Sequence, residues 1–190
     1  MEPYEAFEAA IKSTRGVIAN VSADQYSSPT PCSEWNVRQL LNHVLGTCAL
    51  GTGLFRDAPP EVPMVPGGLP DVDMVGADML AAYDCGADKL LTAVRAPGAL
   101  ERPHQTPLGE MPAAGLAGFT TLDILVHGWD LARATSQKTA LPQDIAEHVL
   151  GFARMALPPD NRPPSVGTPI AISESAPATD QLVAFLGRRP

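Results

Sequence analysis

Asp123 and His127 stand four residues apart in a segment that is apolar over most of its length, with Leu122, Ile124 and Leu125 among its members. The segment is predicted to be helical, and residues four apart on a helix lie one above the other on the same face. A carboxylate and an imidazole rarely lie in such a helix unless another group compensates them. A divalent metal ion would compensate both, so the pair supplies two candidate ligands for one ion.

A third ligand has to come from another element, and His43 is the best candidate. It lies in a second apolar segment, on a predicted helix face that it shares with Leu40, Thr47, Leu50 and Leu54. Two imidazoles and one carboxylate form a three-ligand site of catalytic type, in which water or substrate fills the remaining position. Such a set suits zinc, our first expectation, as well as nickel or ferrous iron. The other interpretation is a set of hydrogen-bonded core residues without an ion.

Further polar residues are candidates for roles beside the ion. Asp130 extends the face of Asp123, and it either orients a ligand imidazole or pairs with Arg133 or Arg102 in a structural salt bridge. His104 lies in a predicted loop, where it either supplies a proton at the metal or is an exposed histidine without a role. Asp130 and His104 are therefore the candidate catalytic residues outside the ligand set.

The cysteines and tryptophans are expected to be structural. Cys32, Cys48 and Cys85 are odd in number and form no C-x-x-C pair, which indicates reduced thiols rather than a disulfide framework. We expect them to be buried small hydrophobic residues, and Trp35 and Trp129 to be core residues.

The elements that must position these residues are helices. Asn36 can cap the second one, since Gln39 follows three residues later as in a capping box. Proline-rich loops of unequal length at 58–70 and 97–112 indicate crossover connections. We predict an all-α four-helix bundle with short C-terminal helices, in one domain whose bundle covers 1–157 and whose tail, 158–190, packs on it. The predicted helices cover 4–21, 36–55, 72–94, 113–135, 143–155 and 179–186, and 168–173 is expected to be extended.

Composition excludes several classes of function. The net charge is −8 and the sequence pI is about 4.8, without a Lys/Arg cluster, so nucleic-acid binding is not expected. Proline, glycine or a charged residue interrupts every apolar run, so we expect no membrane span. Acidic residues at the start, where a secretory signal would be basic, favour a cytoplasmic protein.

Two signatures carry a resemblance to a known family. TPCSEWNVR at 30–38 with LNHV at 41–44, and VHGWDLAR at 126–133, resemble the mycothiol-dependent maleylpyruvate isomerase family. TPLGEMP at 106–112 and DQLVAFLGR at 180–188 are similar to the actinobacterial metal-binding branch of that family. The resemblance covers nearly the whole chain and implies a DinB-like four-helix bundle with a metal at one end, between the helices.

The resemblance also implies a ligand set and a co-substrate. In the isomerase the ligands are a histidine on the second helix and a Glu-x-x-x-His pair on the fourth, which fall on His43, Asp123 and His127, with Asp in place of Glu. Mycothiol is the implied co-substrate. The isomerase has a separate C-terminal domain that contributes to catalysis, and a short tail stands in its place here, so isomerisation itself is not transferred. Relatives that often pair favour a homodimer.

These observations lead to one main hypothesis and two alternatives. In the main hypothesis the metal binds a small-molecule thiol, lowers its pKa and presents the thiolate to an electrophile, as in a thiol S-transferase or isomerase. In the second, the ion activates water for hydrolysis, with Glu110 or His104 as general base. In the third, the protein is a non-catalytic metal-binding or sensing module.

Overall fold

Six α-helices form most of the described chain, and the predicted all-α class is confirmed. The computed structural model describes residues 1–65, 68–107, 109–158, 162–163 and 165–190. Pro66 and Gly67 of the first proline-rich loop, Leu108 of the 106–112 motif, and Pro159 and Pro164 near the tail lie outside the described residues. The helices are α1 Pro3–Ile18, α2 Val37–Phe55, α3 Met79–Val94, α4 Ala113–Ala134, α5 Gln143–Ala156 and α6 Ala178–Phe185.

Helix α2 begins where its sequence predicts. The Asn36 side chain accepts a hydrogen bond from the Gln39 amide at 2.9 Å, and the Gln39 side chain accepts one from the Asn36 amide at 3.0 Å. Both donors would otherwise lack partners at the start of the helix, so this capping box fixes its first residue as Val37. The position of His43 along α2 is thereby fixed relative to the start of the helix.

Helix α3 begins later than predicted, at Met79 rather than at residue 72. Asp78 is the N-cap, and its side chain accepts a hydrogen bond from the Ala81 amide at 3.0 Å. Helix α1 also ends earlier than predicted, at Ile18. Residues 168–173 form no strand, but Ile170 donates a hydrogen bond to the Ala184 carbonyl at 2.9 Å, which ties this segment to α6.

The two long loops contain small antiparallel hairpins that the sequence analysis did not predict. Strand β1, Met64–Val65, pairs with β2, Leu69–Pro70, and strand β3, His104–Thr106, pairs with β4, Gly109–Met111. Gly109 has a φ of +102°, a left-handed conformation that glycine adopts without strain. Strands of two or three residues are too short to show an alternation of apolar and polar residues, so this pattern in the sequence cannot reveal them.

Helices α1 to α4 share one hydrophobic core, in which α1 packs mainly on α4, and α2 on α3 and α4. At Gly128, α4 packs tightly on α1, because a Cβ at this position would lie 2.3 Å from Thr14 Oγ1. Helix packing is therefore the reason for a glycine inside α4. Trp129 is 2% exposed and is a core residue, as predicted. Helices α5 and α6 pack on each other, and α5 also contacts α1 and α4.

None of the helices in the described ranges combines the length and apolar character that a membrane crossing requires.

Candidate metal centre

The packing of α2 against α4 brings the three predicted ligands together. His43 extends from the second turn of α2, and Asp123 and His127 extend from one face of α4. His43 Nε2 lies 3.2 Å from Asp123 Oδ2, and His127 Nε2 lies 3.5 Å from Asp123 Oδ1. One donor atom from each of the three residues lies within 4.8 Å of the others.

The 3.2 Å separation lies at the upper end of the range for N–H···O hydrogen bonds and the 3.5 Å separation beyond it, and both are compatible with ligands of one ion. Hydrogen bonds between a ring N–H and a carboxylate are usually about 2.7–2.9 Å long, and the 3.5 Å between His127 and Asp123 exceeds that range. Ligand atoms at about 2.05 Å from a tetrahedral zinc ion are separated by roughly 3.3 Å. The two imidazole-to-carboxylate distances, 3.2 and 3.5 Å, bracket that value.

The outer nitrogen of each histidine is held by an acceptor. His43 Nδ1 is hydrogen-bonded to the Gly68 carbonyl, and His127 Nδ1 lies 3.0 Å from Asp130 Oδ2. Each acceptor favours a proton on Nδ1 and turns Nε2 towards Asp123. This arrangement, with a carbonyl or carboxylate behind the imidazole, is the usual one for metal-ligating histidines.

Trp35 lies on the imidazoles of His43 and His127, and it packs against the edge of the hydrophobic core rather than inside it. Its ring centroid is 4.6 Å from that of His43 and 5.9 Å from that of His127. The side chain is half-buried. It shields one side of the two imidazoles, and Gly68, at a φ of +80°, brings its carbonyl to the His43 ring beside it.

Asp123 has a protein partner on one side and solvent on the other. Thr47 Oγ1 donates a hydrogen bond of 2.7 Å to Asp123 Oδ2, which fixes the carboxylate relative to α2. The Asp123 side chain remains 33% exposed, whereas those of His43 and His127 are 11% and 12% exposed. The cluster is therefore in contact with solvent on the side of Asp123.

The charges in the cluster are strongly coupled. Burial acts to raise the pKa of Asp123, but the neighbouring His43 and His127 outweigh it and hold that pKa well below its usual value. Burial acts to lower the pKa of His127, but attraction to Asp123 and hydrogen bonds to Asp123, Asp130 and Cys32 raise it well above the usual value. Both shifts favour the charged forms, an anionic Asp123 beside a protonated His127.

Asp130 orients His127 and also forms a salt bridge, but not with either of the predicted arginines. It is fully buried, and Arg188 donates hydrogen bonds to its two carboxylate oxygens at 3.1 and 2.8 Å. Burial acts to raise the pKa of Asp130, but hydrogen bonds from His127 and Arg188 lower it to about 2. Arg102 instead pairs with Asp57, at the opposite end of α2, and Arg133 is exposed.

Cys32 lies beside Asp130, near Nδ1 of His127, and was missed as a site residue. Its Sγ is 3.3 Å from Asp130 Oδ2 and 3.8 Å from His127 Nδ1. Cys32, His127 and Asp130 also form a possible ligand group, but Arg188 already compensates the Asp130 charge, which makes this group the poorer cation site. The expected burial holds for Cys48, which is fully buried with its thiol pKa raised to about 12 by burial, but not for Cys85, which is exposed.

His104 lies away from this cluster. It is 1% exposed, not an exposed loop residue, and its Nε2 and Nδ1 contact the Ala99 carbonyl at 2.7 Å and Asp57 Oδ1 at 3.1 Å. Its ring packs against Phe55 at the end of α2, which is about 18 Å along the helix axis from His43. Glu110, on the same hairpin, is exposed and accepts a hydrogen bond from Gln105 at 3.3 Å.

Comparison with known protein sequences identifies a family and two relatives over most of the chain. The sequence profile of the mycothiol maleylpyruvate isomerase N-terminal domain matches residues 7–132. Two uncharacterized proteins of Mycobacterium tuberculosis, from strains H37Rv and CDC 1551, are each 38% identical over 192 residues, covering 99% of this chain and 98% of the relative.

A solved structure shows the same fold. The crystal structure of the mycothiol-dependent maleylpyruvate isomerase superposes with a TM-score of 0.56 at 15% identity. The match covers 78% of this chain and 66% of the isomerase chain, so this chain spans slightly less than two thirds of that protein.

Proposed function

This chain belongs to the mycothiol maleylpyruvate isomerase N-terminal domain family, and we propose that it binds one divalent metal ion through His43, Asp123 and His127 and uses it as a thiol S-transferase or isomerase. Zinc is the proposed ion, with nickel and ferrous iron as the other candidates that this ligand set suits. The thiol is of the mycothiol type, and the second substrate is a small electrophile.

The proposal is supported mainly by the convergence of two imidazoles and one carboxylate. Nδ1 of each imidazole already has a hydrogen-bond acceptor, the Gly68 carbonyl for His43 and Asp130 for His127. A cluster of core hydrogen bonds does not require Nε2 of both histidines to face one carboxylate at 3.2–3.5 Å. Among the described residues, no fourth His, Cys, Asp or Glu joins this group. Three ligands with solvent access on the Asp123 side leave positions for exogenous molecules, as in catalytic sites.

A bound ion would supply Lewis acidity there, lowering the pKa of a thiol that enters from solvent. The residues of the chain hold and orient the side chains that would bind the ion. Thr47 fixes the Asp123 carboxylate, and the Gly68 carbonyl and Asp130 hold the two imidazoles. Trp35 covers one side of the imidazoles and leaves the Asp123 side for the thiol and electrophile.

The two alternatives have less support. Hydrolysis would be favoured by a general base beside the ion, but His104 and Glu110, the two residues considered for that role, lie on the hairpin near the other end of α2. A non-catalytic binding module would be favoured by a fourth protein ligand, and the described residues supply none of the usual types in the group.

The first experiment is elemental analysis of untagged protein, comparing wild type with His127→Ala and Asp123→Ala. His148→Ala is the matched control, since His148 lies on α5, outside the cluster. We expect about one ion per chain in wild type and the control, and loss of the ion in both site variants. Wild type without metal, even after incubation with zinc, nickel or iron, would refute the proposal.

The second experiment tests the thiol. Cobalt-substituted protein is titrated with mycothiol, with glutathione as a thiol of different structure. Metal-bound thiolate should add a sulfur-to-cobalt charge-transfer band, and Asp123→Ala should abolish the band together with the metal. A spectrum and a melting temperature that do not change at saturating thiol would exclude thiol transfer and leave the other metal-dependent functions.

A further inference from the structure

Arg188 forms a two-point contact with the carboxylate behind a ligand histidine. Its Nε donates to Asp130 Oδ1 at 3.1 Å and its Nη2 to Asp130 Oδ2 at 2.8 Å, although 58 residues separate the two positions. Asp130 is 0% and Arg188 15% exposed in their side chains. A guanidinium that contacts both oxygens fixes the plane of a carboxylate as well as its position.

The backbone that carries Arg188 is itself held in place. The Arg188 amide donates to the Val183 carbonyl of α6 at 2.8 Å, which closes the end of that helix. Gly187, at a φ of +83°, packs so tightly on Gly167 that a Cβ there would lie 2.8 Å from the Gly167 backbone. A tightly packed turn therefore places the guanidinium of Arg188 next to Asp130.

We infer that Arg188 is a positioning residue of the metal centre, which holds Asp130 so that Asp130 fixes the ring of His127 with Nε2 facing Asp123 and His43. The inference rests on the proposed function. Asp130 Oδ2 is 3.0 Å from His127 Nδ1 and also accepts the Arg188 Nη2 hydrogen bond, so a rotation of the carboxylate would disturb both contacts. The tail residue Arg188 thus acts on the metal through two intermediates without touching it.

A purely structural role for Arg188 makes a different prediction. In that case the guanidinium only compensates a buried carboxylate, and its removal lowers the stability of the fold without any specific change at the metal. In a positioning role, its removal also changes how tightly and with what geometry the ion is bound. Partners of this kind, behind a ligand, typically contribute about 10–100-fold to metal affinity.

The test compares Arg188→Gln and Arg188→Lys with Arg189→Gln, a matched control because Arg189 is adjacent and exposed. Zinc affinity is measured by competition with a chelator, coordination geometry by the ligand-field spectrum of the cobalt form, and fold stability by the melting temperature of the metal-free protein. We expect zinc affinity to fall roughly 10–100-fold in Arg188→Gln, with a shifted cobalt spectrum. Lysine keeps the charge but cannot contact both oxygens in the same way, so Arg188→Lys should lie between Arg188→Gln and wild type.

A lower melting temperature in Arg188→Gln with unchanged zinc affinity and cobalt spectrum would overturn the inference. If Arg188→Gln does not fold, Arg188→Lys decides, and wild-type affinity and spectrum in that variant would overturn the inference as well. Failure of the proposed function gives a separate result, since wild type itself would then bind no zinc.

Discussion

Acid should weaken the proposed metal binding, because a proton and an ion compete for the same nitrogen of His127. In the metal-free protein the pKa of His127 is raised well above its usual value, mainly by Asp123, against the opposing effect of burial. The raised pKa favours a proton on Nε2 of His127, and an ion can occupy that position only after the proton has left. Each ion bound should release at least one proton.

The size of the effect follows from this exchange. One proton displaced per ion makes the apparent affinity change by about tenfold per pH unit, equivalent to about 1.4 kcal/mol, at every pH below the raised pKa. The sign is fixed by the direction of the shift, since lower pH favours the protonated, metal-free form. Between pH 6 and pH 7 we expect zinc affinity to rise by at least that factor.

Calorimetry in buffers of different ionisation enthalpy measures the number of protons released per zinc ion bound. Chelator competition at several pH values measures how zinc affinity changes with pH. His148→Gln is the control and should keep both values, since His148 lies on α5. An affinity that is the same at pH 6 and pH 7 in wild type, with no proton release, would refute this account of His127.

Three further predictions concern single side chains. Thr47→Val removes the 2.7 Å hydrogen bond to Asp123 and should weaken zinc binding by about tenfold in chelator competition, with little change in fold stability. Gly128→Ala places a Cβ 2.3 Å from Thr14 Oγ1, so overpacking of about 1–3 kcal/mol should exceed the roughly 1 kcal/mol gained in helix propensity, and urea unfolding should show a net loss. His104→Ala should destabilise the fold by about 2 kcal/mol or more in the same assay, because it removes buried hydrogen bonds, yet it should leave metal content unchanged.

Each of these has a control or a contradicting result. Thr47→Ser keeps the hydroxyl and should bind zinc as wild type does. Gly16→Ala, on α1 with nothing within 4 Å of the new Cβ, should stabilise the protein, and Thr14→Ala should relieve Gly128→Ala. Loss of metal in a folded His104→Ala protein would contradict the placement of His104 away from the centre.

The helices and the grouping of His43, Asp123 and His127 could be predicted because both leave short-range signals. The capping box at Asn36 and Gln39 is local in sequence, and the structure shows both of its hydrogen bonds. The four-residue spacing of Asp123 and His127 places both side chains on one face of any helix, whatever packs against it. A polar pair in an apolar helix then requires a partner, which pointed to His43.

The remaining site residues could not be predicted because their contacts depend on packing between distant segments. Thr47 fits an apolar helix face as well as a hydrogen-bonding one, and only the approach of α4 shows that it donates to Asp123. The arginines predicted to pair with Asp130 were Arg133, nearby in sequence, and Arg102, in a loop. The actual partner is Arg188, 58 residues away. Likewise, Cys32 and His127 lie 95 residues apart, and no spacing rule relates them.

The position of Trp35 gives the protein an intrinsic optical reporter. The chain has two tryptophans, of which Trp129 is 2% exposed in the core while Trp35 lies on both candidate ligand imidazoles. A protonated imidazole in contact with an indole quenches its emission, whereas a metal-bound one carries no such proton on Nε2. Fluorescence from Trp35 should therefore rise as zinc displaces the His127 proton, and in Trp129→Phe protein that signal would follow metal occupancy in real time without any label.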